Sequence, residues 1–211
     1  MCQDEPMYRH ILVVIASLFA LAALLGCPPT GEEPTPTATP DPRLLVTVET
    51  RLGDVVIELY EDEAPVTVQN FLSYVEEGFY DGGDGLGATL FHRVIPGFMT
   101  QGGGLVEGLA RKTTHDPIVN ESDNGLDNDR GTVSMARLTA PDTATSQFFI
   151  NVADNDFLNY VSDVEWGYAV FGQVVEGMDV VDDMVSQPTE TVGNFQDVPS
   201  TPIPIETVIS N

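Results

Sequence analysis

Apolar and polar residues alternate with period two through LLVTVET (Leu44 to Thr50) and DVVIELY (Asp54 to Tyr60). That pattern predicts two strands joined as a hairpin across Arg51-Leu52-Gly53, where the glycine supplies the turn conformation. The period then lengthens. Pro65 stands where a first helical turn tolerates proline, and Val68, Phe71, Leu72 and Val75 recur at helical spacing until Gly78. A second helix is predicted from Met178 to Val185. Six further strand-like runs, Leu90–Val94, Gly97–Gln101, Gly131–Ala136, Gln147–Val152, Tyr168–Val174 and Ile203–Ile209, are separated by glycine- and Asx-rich loops. Many short strands with two helices predict a mainly β domain, and periodicity alone permits a closed antiparallel barrel or a sandwich.

The N-terminal stretch has a different pattern. Ile11 to Leu25 reads ILVVIASLFALAALL, fifteen apolar or small residues, long enough for a signal-peptide core and short for a membrane span of about 20. A buried helix or an uncleaved anchor is the competing reading. Arg9 and His10 flank the run, and a start at Met7 instead of Met1 would remove Asp4 and Glu5 from that flank. The run ends in Leu24-Leu25-Gly26-Cys27, which resembles the bacterial lipobox; that resemblance implies cleavage after residue 26 and acylation of Cys27. Pro28 to Pro42 then places six prolines in fifteen residues with almost no large apolar side chain, a composition that favours an extended tether over a packed core. The expected organisation is a signal peptide over 1–26, a lipidated cysteine and linker over 27–43, and one folded domain over 44–211. The expected location is the cell envelope, on an outer membrane or an outward-facing membrane surface.

Composition narrows the function. Eight Lys and Arg against 33 Asp and Glu give a net charge of −25, which excludes a phosphate-neutralising, nucleic-acid-binding role. Both cysteines, Cys2 and Cys27, precede the domain, so it has no disulfide staple and no cysteine metal site. Asp81 to Gly85 and the group Asp123, Asp127 and Asp129 lack the full ligand pattern of a calcium loop, so no metal is expected.

Phe91-His92-Arg93-Val94-Ile95-Pro96-Gly97-Phe98-Met99-Thr100-Gln101-Gly102-Gly103 resembles the signature segment of the cyclophilins. APVTVQNF (Ala64 to Phe71), NGLDNDRGTVSMAR (Asn124 to Arg137), SQFFIN (Ser146 to Asn151), YAVFGQVVEGMDVVD (Tyr168 to Asp182) and QDVP (Gln196 to Pro199) extend the resemblance, in family order, over about residues 44–209. It is closest to the bacterial-type members. The resemblance implies a closed eight-stranded antiparallel β-barrel capped by two α-helices, with a substrate groove on one outer face. It also implies peptidyl-prolyl cis-trans isomerase activity toward proline-containing unfolded or extended polypeptides, by a monomer without cofactor. Two departures stand out: Asp81 to Ala88 is a longer loop than most members carry, and Phe157 and Tyr168 stand where many eukaryotic members have tryptophan and histidine.

Residue by residue, the resemblance implies that Arg93, Gln101 and Phe98 are catalytic, Arg93 donating to the twisting amide and Gln101 aligning it. Phe98, Met99, Phe149 and Leu158 would seat the proline ring, Phe157 and Tyr168 would form the rim, and Ala136, Arg137 and Gln147 would line the groove. From the residues alone these are apolar strand positions that a barrel core would equally need. His92 is expected to be a packed structural histidine, because rotation about an amide requires no proton transfer. The alternative function, from another class, is a non-catalytic binder or chaperone of proline-containing segments in the envelope.

Overall fold

The computed structural model describes residues 43–210; the expected signal segment, Cys27 and nearly all of the linker lie outside the described residues. The first hairpin forms as its alternation dictates. β1 (Leu45–Thr50) and β2 (Gly53–Leu59) pair antiparallel and bury Val46, Val48, Val55, Ile57 and Leu59 on one face. Helix α1 (Pro65–Glu76) buries Thr67, Val68, Asn70, Phe71 and Tyr74, a stripe at helical spacing. Its own N-cap side chain makes no cap hydrogen bond. The Glu121 carboxylate does so from a distant loop, accepting the Val66 and Thr67 N–H groups at 3.1 and 2.8 Å and the Thr67 hydroxyl at 2.6 Å. A negative charge is favoured at this end of the helix dipole.

The remaining strands are β3 (Phe91–Ile95), β4 (Met99–Gly102), β5 (Thr132–Met135), β6 (Phe148–Asn151), β7 (Val170–Glu176), β8 (Thr189–Val192), β9 (Phe195–Pro199) and β10 (Ile205–Ser210), with helix α2 (Met178–Ser186) between β7 and β8. Eight of the ten strands form one antiparallel sheet in the order β10-β1-β2-β7-β5-β6-β4-β3. It curls around Phe71, Tyr80, Phe91, Phe148 and Phe171, all at most 1% exposed. Phe71 meets Phe148 edge-on at 5.5 Å. The chain enters α2 through Gly177 at φ 90°, where a Cβ would lie 2.2 Å from the Asp54 carbonyl oxygen, so only glycine fits.

Closure of the barrel, expected from the resemblance, is not what the sheet does: it is an open, curled half-barrel. Between its edge strands β3 and β10 there is a single bridge, Leu90 to Pro204, flanked by hydrogen bonds from Phe91 N–H to the Ile203 carbonyl and from Ile205 N–H to the Thr89 carbonyl. Pro204 occupies the non-hydrogen-bonded position of this bridge, where its missing N–H is not called on. The last strand starts at Ile205 and not at Ile203. The hairpin of β8 and β9, which the hydrophobic pattern did not signal, is a separate two-stranded sheet lying beside β3.

The long loop over Asp81 to Ala88 is pinned from within. Lys112 Nζ, on a side chain 2% exposed, donates to the carbonyls of Phe79 and Gly87 at 2.7 and 2.9 Å, pairs with the Asp84 carboxylate at 2.7 Å, and sits 4.6 Å over the Phe79 ring. Replacing Lys112 by Met should lower the unfolding free energy by about 3 kcal/mol, because a half-enclosed carboxylate and two carbonyls lose their only cation. Urea unfolding of the variant checks this; an unchanged midpoint would contradict the clamp.

Candidate active site

The sheet's alternation places the signature residues on its outer face. Arg93 on β3 is opposite Gln101 on β4, Gln101 is opposite Phe149 on β6, and Phe149 is opposite Ser134 on β5. Val94, Phe148 and Ile150, each one residue away, point into the main core. Met99, Phe149 and Leu158 form a second apolar cluster apart from that core, with Ile95, Phe98, Ala136 and Tyr168 packed against it. The residues that could have been core are thus a pocket on the other side of the sheet.

Polar groups hold this pocket in shape. The buried Asn128 amide donates to the carbonyls of Leu158 and Tyr168, both at 3.2 Å, and its oxygen accepts from Ser134 and Asn151 at 2.7 and 3.2 Å. Asn155 donates to the Phe98 carbonyl at 3.0 Å and to the Asn151 oxygen at 2.7 Å. Three asparagines therefore fix the backbone at Phe98, Leu158 and Tyr168. Sequence reading passed over them, because nothing in an asparagine's position along the chain reveals that it is buried.

The rim is aromatic. Phe157, 74% exposed, lies with its ring 5.6 Å from Phe98, and Tyr168 meets Phe149 edge-on at 5.6 Å. The Arg137 guanidinium sits 4.6 Å over the Tyr168 ring. Next to the pocket opens a cleft of about 610 Å3, lined among others by His92, Arg93, Gln101, Ala136, Arg137 and Gln147. The eleven expected groove residues of the domain thus fall in or beside the apolar cluster and the cleft, which share Ala136.

Within it, Gln101 donates to the Gln147 side-chain oxygen at 2.9 Å. The ion-pair partner of Arg93 is Asp197 on β9, with Arg93 Nε 3.9 Å from the carboxylate and both side chains about two-fifths exposed. Asp197 has φ 56°, a left-handed conformation that aspartate tolerates better than most residues. Asn194, Phe195 and Gln196 from the same hairpin also line the cleft. The only sequence signal for this wall was the QDVP segment.

Among known families, residues 45–209 match the model described as cyclophilin type peptidyl-prolyl cis-trans isomerase/CLD. The chain belongs to this family. It is 54% identical over 164 residues to the peptidyl-prolyl cis-trans isomerase of Acinetobacter baylyi, covering 78% of this chain and 84% of the relative. It is 53% identical over 166 residues to peptidyl-prolyl cis-trans isomerase B of Escherichia coli, covering 78% and 98%. A crystal structure of a Cryptosporidium parvum cyclophilin in the presence of the dipeptide Ala-Pro superposes with a TM-score of 0.64 at 26% identity, over 79% of this chain and 98% of that one.

In this cyclophilin His92 is 6% exposed. Burial pushes its imidazole down from 6.5 to about 4, and the nearby Arg111 and Arg93 charges push the same way against a 3.4 Å contact to the Leu90 carbonyl. The neutral ring is thus favoured by folding, so the unfolded chain binds the proton first. Stability from this residue is present above about pH 6.5 and is lost as pH falls toward 4, by roughly 3 kcal/mol in total. Melting curves between pH 7 and pH 4 should show this loss, and His92→Gln should flatten that part of the profile; an equal slope in the variant would contradict it.

Proposed function

We propose that this chain is exported, lipidated at Cys27, and isomerises prolyl bonds in proline-containing unfolded or extended polypeptides at the cell envelope, acting as a monomer without cofactor. The observation that carries the enzymatic part is the guanidinium of Arg93 beside an apolar seat that is separate from the core.

Rotation about a prolyl amide is slow because resonance must be broken, with a barrier of about 18–20 kcal/mol and times of tens of seconds. Reaching milliseconds requires roughly 10⁵-fold, or about 7 kcal/mol of preferential binding to the twisted state. No bond is made or cut, so no nucleophile or proton carrier is needed. In the twisted state the nitrogen lone pair localises and accepts a hydrogen bond that neither planar isomer can take. Arg93 donates it, and the proline ring is held by Phe98, Met99, Phe149 and Leu158 while Gln101 and Gln147 contact the substrate backbone. Phe157 and Tyr168 close the rim, and Ala136 and Arg137 flank the extended chain.

The rest of the proposal concerns the N-terminal region. It rests on the lipobox-like Leu24-Leu25-Gly26-Cys27 after an apolar run, with the proline-rich linker over 27–43 separating the anchor from the isomerase domain over 44–211. Pro28 after the cysteine provides no aspartate-type inner-membrane retention signal, which favours an outer or outward-facing membrane. Acyl chains contribute about 0.8 kcal/mol per buried CH2, and two or more give a durable anchor.

Two experiments test this reading. In an assay of peptide isomerisation, Arg93→Ala should lower kcat and kcat/KM by similar factors of ~100 to 1,000 with the fold intact by circular dichroism. Phe98→Ala should weaken substrate binding as well. Undiminished turnover by folded Arg93→Ala would remove the arginine from the mechanism, and peptide binding without turnover by the wild type would replace the enzyme with the binding module. For the anchor, Cys27→Ser should leave an uncleaved precursor without acyl mass. Wild-type protein that partitions into the aqueous phase of a detergent extraction, with no acyl mass, would rule the lipoprotein reading out.

A further inference from the structure

The cleft beside Arg93 has a charge composition opposite to that of the chain. Three arginines line it, Arg93, Arg111 and Arg137, and none of its lining residues is aspartate or glutamate. This occurs in a sequence with 33 acidic residues against eight basic ones. The described residues include seven Lys and Arg side chains, so three of the seven face a single cavity.

The three guanidiniums are held differently. Arg93 has Asp197 at 3.9 Å. Arg137 is caged by the carbonyls of Gly167, Leu138, Thr139 and Trp166, which fix its position without neutralising its charge. Arg111 has no hydrogen-bonded or ion-paired partner among the described residues. Each other basic side chain there has one: Arg43 pairs with Glu58, Lys112 with Asp84 and Arg130 with Asp182, and Arg51 donates to the Pro202 carbonyl. Carboxylates outnumber guanidiniums so heavily in this chain that an arginine free of them, in a cavity free of them, marks a place kept for an anion from outside.

We propose that this cleft is a specificity pocket for an acidic side chain of the substrate polypeptide, with Arg111 as the residue that reads it. The proposal rests on the isomerase reading, since it takes the substrate to lie in the groove. Met99 and Gln101 are two residues apart on the same face of β4, a rise of roughly 7 Å. A proline seated over Met99 and Phe149 therefore brings a side chain one or two residues away in an extended substrate over Gln101 and into the cleft. Aspartate or glutamate there can accept paired hydrogen bonds from a guanidinium. The excess of carboxylates over the rest of the chain repels such a segment, while a lining with three arginines and no carboxylate favours it, which focuses acidic segments on the groove.

The test uses the full-length chain in detergent and short proline peptides that carry Glu or Gln at each of the two positions on either side of the proline. The expected result is a kcat/KM about tenfold higher for Glu than for Gln at one of these positions at low salt, shrinking in 0.5 M NaCl. Arg111→Gln should bring the ratio near one, and Arg111→Lys should restore part of it. Equal rates for the Glu and Gln peptides in the wild type, or a preference that survives Arg111→Gln, would overturn the proposal. Turnover of the Gln peptides without acid preference leaves the isomerase reading standing. If no peptide is turned over, that reading fails instead, and fluorescence titration of the same peptides still reports whether the cleft selects the acid.

Discussion

Strands β3 and β6 carry large side chains on both faces, and the second apolar layer of the domain follows from that fact. Side chains on a strand alternate strictly between the two sides of a sheet. Val94, Phe148 and Ile150 enter the main core while Met99 and Phe149 emerge on the far side. The second face is too small to bury itself. It is roofed by the turn at Leu158, by Phe98 and by Tyr168, and with them it makes an apolar cluster apart from the core. The groove is thus a consequence of two-sided apolar strands with an incomplete second layer.

A roof made of loops needs fixing, and here buried amides do the fixing. Asn128, Asn151 and Asn155 connect the pocket floor at Ser134 to the backbone of Phe98, Leu158 and Tyr168. In a low-dielectric interior each such bond is directional and its loss expensive. The loops therefore have little freedom to collapse into the pocket, and their apolar side chains stay available to a ligand. Electrostatics follows a similar economy. The chain is strongly acidic, yet three of its arginines line the cleft beside the pocket, and the hairpin of β8 and β9 brings Asp197 to one of them, Arg93.

Much of the fold was legible along the chain. Eight runs of strand-like residues gave the eight strands of the main sheet, because alternation and helical spacing are local properties that survive without knowledge of partners. The helices were found within one or two residues of their ends. The edges were less legible. The seam between β3 and β10 is held by the one Leu90–Pro204 bridge, and whether two sheet edges meet depends on how far the whole sheet curls, which no local pattern carries. The β8–β9 hairpin escaped because its strands are short, β8 is exposed throughout and β9 buries only its last two residues, so no hydrophobic period announces them.

By itself the sequence determined the eight strands of the main sheet, the two helices and the family, since each of these is carried by residue type and spacing. Only the tertiary structure decided which face those residues occupy, that Met99, Phe149 and Leu158 form a cluster outside the core, and that Asp197 and Arg111 stand beside Arg93 from segments far apart in the chain. The physical reason is range. Propensity and periodicity act over a few residues, whereas burial, charge pairing and the filling of a cavity depend on contacts that exist only once the sheet has curled.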